Sequence, residues 1–215
     1  IQPETIDAYE AGYKFDNHTF SFDLSGFYYN YRNLQVSAYL SGTAFILNAA
    51  SSHIYGIDGQ FTAHLNEHFD LSAGGAWTHA RFVQFNNAPV YVACVPAIGA
   101  AACGANGISF LVPGTTLTNS QMPRTPSFSG NITARYKQEL AGGKLVLSGN
   151  LNYTSKLYYG SSGVQFPQDA YATLDLRAEW TDPTNRYTVA VFGTNVTDKA
   201  YKTEVQATNF GIGSN

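Results

Sequence analysis

The sequence predicts an all-β fold, an antiparallel transmembrane β-barrel, from three observations. Apolar and polar side chains alternate over long stretches, and no helical period of about 3.6 residues appears in the 215-residue chain. The stretches run for roughly 11 to 17 residues, whereas soluble strands average about 5–6 and a tilted transmembrane strand needs about 9–11. The connections are alternately short and long, which is typical of outer-membrane barrels.

Eight long strands are predicted in a row, each from its own alternating stretch. In residues 172–180, for example, Ala, Leu and Trp occupy the even positions, while Thr, Asp, Arg and Glu occupy the odd ones. The predicted strands cover roughly residues 4–15, 19–31, 50–64, 69–85, 126–139, 144–159, 170–180 and 187–197.

The connections fall into two classes by length. The short turns, at 16–18, 66–68, 140–143 and 181–186, contain the turn-forming residues Asn, Asp, Gly or Pro. The long connections are residues 32–49, 86–125 and 160–169. Because short turns face the periplasm in outer-membrane barrels, the long connections are predicted to be extracellular loops.

Aromatic residues collect near the predicted strand ends. Tyr28, Tyr29 and Tyr31 precede the first long connection, and Trp180 and Tyr187 flank a short turn. A soluble sandwich would show a similar alternation, but two belts of Tyr and Trp around an apolar band are what lipid–water interfaces select. The belts, the strand lengths and the loop asymmetry together favour a membrane barrel over a sandwich.

The order of short and long connections predicts an incomplete barrel. Short turns follow the first, third, fifth and seventh strands, so both chain ends are expected on the extracellular side. A complete single-chain barrel has both ends in the periplasm. At least one further descending strand is therefore expected after Asn215.

Composition narrows the range of partners and sites. The net charge is −3 and the pI is about 5.9, with scattered basic residues, which argues against nucleic-acid binding. Cys94 and Cys103 either form one disulfide that closes a small loop or remain two free thiols. No metal site is predicted, because the cysteines lack nearby His partners. The segment His64-Leu65-Asn66-Glu67-His68 matches a zinc-protease pattern, but it spans a strand end and a turn rather than the helix that this chemistry needs.

Charged residues on the alternating strands are predicted to form a lumen wall. Charges must face inward, because a charge facing lipid costs about 2–4 kcal/mol near the bilayer centre. These residues would contact water or a plug, or else guide a charged ligand. The predicted wall residues are Arg135, Lys137, Asp175, Arg177 and Glu179.

The long connections 32–49 and 86–125 are the better candidates for ligand contact. No charged residue occurs between Arg81 and Arg124, so an apolar, Tyr-bearing loop either lines an outer ligand mouth or forms a protective lid. The candidate contact residues are Tyr39, Phe45, Tyr91 and Phe110.

Motifs in three segments, Pro3–Phe15, Asn48–Phe61 and Gly193–Tyr201, resemble those of TonB-dependent outer-membrane receptors. Pro3–Phe15 is similar to a barrel strand of the form P-E-x-x-x-x-Y-E-x-G-x-K, and Gly56-Ile57-Asp58 stands where Gly-(Val/Ile)-Glu is usual. Gly193–Tyr201 matches the near-terminal pattern N-(L/V)-x-D-(K/R)-x-Y. The motif residues here are Tyr9, Glu10, Gly12, Gly56, Asp58, Asn195, Asp198 and Tyr201.

The resemblance implies that residues 1–215 form the C-terminal portion of a barrel of about 22 strands, with the plug domain and the last strand outside this sequence. It also implies a place in outer-membrane lipid and active uptake of a scarce ligand, such as a siderophore-type iron complex, cobalamin or a saccharide. The energy would come from the TonB complex, acting through the missing plug.

Two other functions are alternatives to active transport. A passive porin-like channel would lack the plug. An outer-membrane hydrolase would need a Ser–His pair at one rim, and the predicted strands show no convergent set of Ser, His and acidic residues. The protein is therefore expected to be neither an enzyme nor a cofactor carrier.

Overall fold

A computed structural model describes residues 1–40, 43–88, 90–93, 109–112, 114–160, 166–208 and 211–214. The strands of this part of the chain are numbered in chain order. They are β1 Thr5–Asp16, β2 Phe20–Leu40, β3 Thr43–His64, β4 Phe69–Gln84, β5 Val90–Ala93, β6 Ser109–Val112, β7 Phe128–Leu140, β8 Gly143–Thr154, β9 Leu157–Tyr158, β10 Pro167–Gln168, β11 Tyr171–Thr181, β12 Thr188–Gly193, β13 Val205–Thr208 and β14 Gly211–Ser214.

Eight of these strands form one antiparallel sheet in the order β1-β2-β3-β4-β7-β8-β11-β12. Each strand pairs with its neighbour along the chain, apart from the small hairpins β5–β6 and β9–β10 that interrupt the long connections. Within the described residues, β1 and β12 are the two edges of the sheet. This meander of eight long strands confirms the predicted fold class, an all-β partial barrel.

The register separates the sheet into two faces. One row of directly opposed residues, running from β1 to β11, is Phe15, Phe22, Phe61, Ala73, Ile132, Leu151 and Leu174. A parallel row nearer the long connections is Tyr9, Tyr28, Tyr55 and His79. These rows lie on one side, here called the apolar face, and the intervening residues form the polar face. Large side chains of the apolar face are exposed, for example Val191 at 74%.

The four short turns are confirmed, and their residues explain them. Asn17 closes the first, since its side-chain oxygen accepts the backbone N–H groups of Thr19 and Phe20, both at 2.8 Å. The β7–β8 turn has two residues, Ala141 and Gly142, with φ of 50° and 74°. Two consecutive positive φ angles match the twist of a tight hairpin.

The first long connection is not a loop, and that prediction was wrong. Residues 32–49 mostly extend β2 and β3, which pair as far as Leu40 opposite Thr43. The register shifts between Tyr31 and Gln35, where Asn33 has a φ of 54°. This irregularity resets the alternation, so the continuing strand reads as a separate segment in the sequence.

Two predicted strands are shorter than expected. The last strand ends at Gly193 rather than at residue 197, because Asn195 and Asp198 both have positive φ. The strand predicted at 144–159 ends at Thr154, and Leu157–Tyr158 pairs instead with Pro167–Gln168.

The buried core lies beside the long connections rather than between the faces of the sheet. It consists of Phe82, Phe85, Ala88, Val90 and Leu117, with Leu34, Val36 and Met122 packed against it. Leu117 donates its N–H to the carbonyl of Phe85 at 2.8 Å, and Met122 donates to Ala80 at 3.1 Å. Residues 117–122 therefore run alongside the end of β4 that lies nearest the long connections. In the part of the chain described, no helix has the length and apolar character needed to span a membrane.

Candidate functional site

A line of hydrogen-bonded side chains crosses the polar face. Thr133 donates its hydroxyl to the Asn150 side-chain oxygen at 2.8 Å, and Asn150 donates its amide to Asn152 at 3.0 Å. Asn152 in turn donates to one Asp175 carboxylate oxygen at 3.3 Å, while the backbone N–H of Asn195 donates to the other at 2.8 Å. All the donors point towards Asp175, because an ionised carboxylate only accepts.

The five predicted wall residues lie together on the polar face. Arg135 and Arg177 each oppose Ser148, so they belong to one row across β7, β8 and β11. Lys137 and Glu179 each oppose Val146, in the next row towards the short turns. Asp175 is two residues from Arg177 on the same strand, which places it in the adjacent row on the other side.

These wall residues differ in their partners. Lys137 forms an ion pair with Asp70, and Arg177 pairs with Glu179, with its Nε at 3.1 Å from the carboxylate. In the part of the chain described, the side chain of Arg135 is exposed and has neither a hydrogen-bond nor an ion-pair partner. Arg135 is thus a cation on this face that remains available to another molecule.

The two histidines of the zinc-protease pattern bind separate partners. His64 is the last residue of β3, and its Nδ1 lies 2.8 Å from Asp70. His68 lies in the following turn, with its Nδ1 3.0 Å from the carbonyl of Lys137. The segment is strand and turn, and no group of three or more His, Cys, Asp or Glu side chains suited to a metal occurs among the described residues.

A polar cluster joins three segments beside the long connections. Arg124 and Glu204 form an ion pair at 2.6 Å, and the backbone N–H of Arg124 donates to the carbonyl of Tyr158 at 2.7 Å. The hydroxyl of Tyr159 donates to the carbonyl of Lys202, and Lys202 donates its Nζ to Pro167 at 2.9 Å. Arg124, Tyr159, Lys202 and Glu204 are called the rim cluster. Burial raises the pKa of the Tyr159 hydroxyl above its ordinary value.

The predicted ligand-contact residues are only partly described. Tyr39 and Phe45 belong to the paired extension of β2 and β3, and Tyr91 and Phe110 belong to β5 and β6. The backbones of these four residues therefore lie in strands rather than in loops, and their side chains are outside the part of the structure that is described. Cys94 and Cys103 also lie outside the described residues, so the disulfide stays a prediction.

The near-terminal motif folds into a turn that caps the sheet. The Asn195 side chain accepts the N–H of Lys199 at 3.0 Å and donates to the carbonyl of the same residue at 3.1 Å. Asp198 adopts a φ of 49° within this turn, where Asn and Asp are the favoured non-glycine residues. Tyr201 then stacks on Tyr171, with ring centroids 4.4 Å apart.

The other motif residues lie on β1 and β3. Tyr9 opposes Tyr28 on the apolar face, Glu10 accepts a hydrogen bond from the Tyr29 hydroxyl, and Gly12 opposes Ser25. Asp58 opposes both Ser25 and Ala76 on the polar face.

Gly56 is required by its surroundings. A Cβ atom there would lie 2.1 Å from the Trp77 carbonyl oxygen and 2.8 Å from the Phe27 ring.

Asn150, Asn152 and Thr133 were not among the site residues predicted from the sequence. Their signal is compositional, since small hydroxyl and amide side chains alternate with apolar ones on β7 and β8. The rim cluster was missed as well. It joins positions far apart in the chain, such as Arg124 and Glu204, which no local pattern connects.

Comparisons with known proteins agree with this architecture. The family model described as TonB dependent receptor-like, beta-barrel matches residues 1–196. The ferric yersiniabactin uptake receptor FyuA from Yersinia pestis is similar in structure, with 18% identity and a TM-score of 0.73 over 98% of this chain and 28% of its own. BauA, the ferric preacinetobactin receptor from Acinetobacter baumannii, has 20% identity and a TM-score of 0.66 over 100% of this chain and 28% of its own.

The ferric citrate transporter FecA has 13% identity and a TM-score of 0.70 over 99% of this chain and 30% of its own. At these identities the likeness shows the fold alone. This chain thus spans less than a third of the length of these three structures. Among curated proteins, no sequence matches the chain.

Proposed function

The chain belongs to the β-barrel family of TonB-dependent receptors, which are outer-membrane transporters rather than enzymes, and on that premise we propose that it serves active uptake. The protein that contains it binds a small-molecule ligand at the cell surface and imports it with energy from TonB. A siderophore-type iron complex is the leading ligand class, ahead of cobalamin or a saccharide.

The ligand class is supported by the structurally similar proteins. FyuA is an uptake receptor for ferric yersiniabactin, BauA is a receptor for ferric preacinetobactin, and FecA is a ferric citrate transporter. All three names specify a ferric complex.

The observation that carries the proposal is the chemistry of the polar face. It presents the line of hydrogen-bonding side chains from Thr133 to Asp175 and the unpaired cation Arg135. The same face carries a groove of about 640 Å³, lined in part by Gln60, Asn131 and Asn152. Such a wall suits a water-lined interior through which a polar, charged solute passes.

The energy source and the plug belong to the proposal as well. A TonB-driven receptor needs a plug that closes the barrel, and the wall residues would be its contacts inside the lumen. Lys137 and Arg177 are already paired within the wall, so Arg135 is the wall cation most available to a plug carboxylate or an anionic ligand.

Uptake of radioactive iron tests the proposal. The complete gene is expressed in an iron-starved strain that lacks its own ferric receptors, and cells are supplied with iron-loaded siderophore from the source organism's culture medium. Uptake is expected with the gene present, and it should disappear when TonB is deleted. Uptake that persists without TonB would contradict the proposal.

A planar-bilayer recording distinguishes the passive alternative. The purified complete protein is expected to show no steady conductance, because a plugged barrel offers no continuous water path. A stable open channel in the absence of TonB would assign the protein to the porin-like class instead.

A further inference from the structure

Three glycines form a gap in the apolar face. Gly59 on β3 lies directly opposite Gly75 on β4, and Gly75 lies directly opposite Gly130 on β7. Glycine has no side chain, so the surface is low at this level. The Phe128 ring leans towards Gly75 and Gly130, and Leu24 leans towards Gly59. The row continues to Leu24 on β2 and to Tyr153 on β8, and these two side chains close its ends.

Apolar side chains surround the three glycines and make the gap a groove of about 500 Å³, here called the glycine groove. Phe128 stands on the side of the long connections, and Phe61 and Ile132 stand on the side of the short turns. The walls are open to the outside, with Leu24 50% and Ile132 52% exposed. The groove is therefore open at the surface rather than a closed cavity.

The chemistry of the glycine groove limits what it can bind. The backbone of β3, β4 and β7 is already paired in the sheet at this level, so an added strand finds no free partner. Along the strands, the next rows of side chains on this face lie about 6.6 Å from the glycine row on either side, because they are two residues away at about 3.3 Å per residue. Side chains on both rows narrow that opening below the diameter of a helix, which is about 10 Å. A single flexible hydrocarbon chain fits these limits.

The position of the groove indicates the leaflet. The apolar face is the surface that an outer-membrane barrel presents to lipid hydrocarbon. Trp77 and Phe128 form the next row towards the long connections, followed by Tyr55 and His79. Aromatic rows of this kind lie at the lipid–water interface. The glycine groove thus lies just inside the outer interface.

We propose that the glycine groove binds one acyl chain of a membrane lipid in the outer leaflet. The glycines keep the floor of the groove low beneath the acyl chain, the Phe128 ring forms part of that floor, and Phe61 and Tyr153 enclose the chain from the sides. The proposal concerns the outside of the barrel, so it is independent of the ligand that passes through the lumen.

Native mass spectrometry of the complete receptor, released from micelles that contain palmitoyl-oleoyl-phosphatidylethanolamine, tests the proposal. The wild type is expected to retain one more lipid than Gly75→Val, whose side chain fills the groove. Lipid occupancy should fall roughly fourfold or more, because losing the contact of about one buried methylene group weakens binding by about that factor. Gly26→Val is the matched control, since Gly26 lies on the same face and an added Cβ meets nothing nearer than 3.9 Å.

Each outcome decides the question. Equal lipid retention by the wild type and Gly75→Val would overturn the proposal, and so would a dimer that only Gly75→Val abolishes, because the occupant would then be a second copy. An added Cβ at Gly75 lies 3.3 Å from the Ser129 carbonyl, so folding is checked by heat-modifiable migration on a gel. If Gly75→Val does not fold, Phe128→Ala replaces it, and unchanged lipid retention there would equally refute the site.

Discussion

Replacing Asp175 by alanine tests the structural role of the hydrogen-bonded line on the polar face. The carboxylate accepts the backbone N–H of Asn195 at 2.8 Å and the Asn152 amide at 3.3 Å. Without it, the turn that begins at Asn195 keeps two contacts with β11, which are the bond from the Val196 N–H to the Leu174 carbonyl and the stacking of Tyr201 on Tyr171. The turn should therefore open locally more often, while the sheet stays folded.

The size of the effect follows from the bonds lost. A hydrogen bond to a charged acceptor contributes about 1.5–3 kcal/mol, and about 1.4 kcal/mol corresponds to a factor of ten. Loss of the Asn195 bond alone should thus raise the opening equilibrium roughly 10- to 150-fold, since local opening governs amide exchange.

Hydrogen exchange of the complete receptor, measured on peptides that cover residues 190–202, gives the readout. Asp23→Ala is the matched control, because Asp23 lies on the same face and its carboxylate has no hydrogen-bond partner in the described part of the chain. Faster exchange is expected only in Asp175→Ala. Equal exchange in the two variants would refute the role assigned to Asp175.

Three further predictions concern single contacts. Gly56→Ala should lower the free energy of unfolding by at least about 1–3 kcal/mol, because the added methyl group overpacks against the Trp77 carbonyl. It should reduce the heat-modifiable band on a gel, whereas Gly26→Ala should leave that band unchanged. Hydrogen bonds from the Thr184 hydroxyl and the Tyr187 N–H lower the pKa of Asp182 from 3.8 to about 2. The Asp182 carboxylate should therefore stabilise the β11–β12 turn fully above about pH 4 and lose this effect as the pH falls through about 2. Amide exchange in the turn should accordingly differ between the wild type and Asp182→Asn above about pH 4 and become equal below about pH 2. Tyr201→Ala should lose the stacking on Tyr171, worth about 0.5–1.5 kcal/mol beyond area burial, and should raise exchange after residue 198, whereas Tyr201→Phe should not.

The sequence predicted most of the sheet because alternation is a local signal. The pairing of β7 with β8 follows directly from alternating residues and a two-residue turn at Ala141 and Gly142. The same logic failed at Asn33, where one irregularity shifted the phase of the alternation and hid residues 32–40 of β2 and residues 43–49 of β3. It also failed after Gly193, where the pattern alone gave no reason for the strand to end.

The candidate site was predicted in outline only. Arg135 and Glu179 were predicted on the polar face because a charge that faces lipid is costly, and the alternation within each strand shows which residues share a face. Which charges are paired depends on distances across strands, as between Lys137 and Asp70, and these need the register. The rim cluster depends on contacts between Arg124 and Glu204, eighty positions apart, so no pattern within the sequence indicates it.

The long β2–β3 hairpin also affects how this surface meets proteases. From Arg32 to Leu40 the strand rises by about 26 Å, at roughly 3.3 Å per residue. A projection of that length is ordinarily a target for digestion, yet the sequence has no lysine or arginine between Arg32 and Arg81, and none again before Arg124. Trypsin-like enzymes therefore find no cleavable bond from residue 33 to residue 81, nor from residue 82 to residue 124.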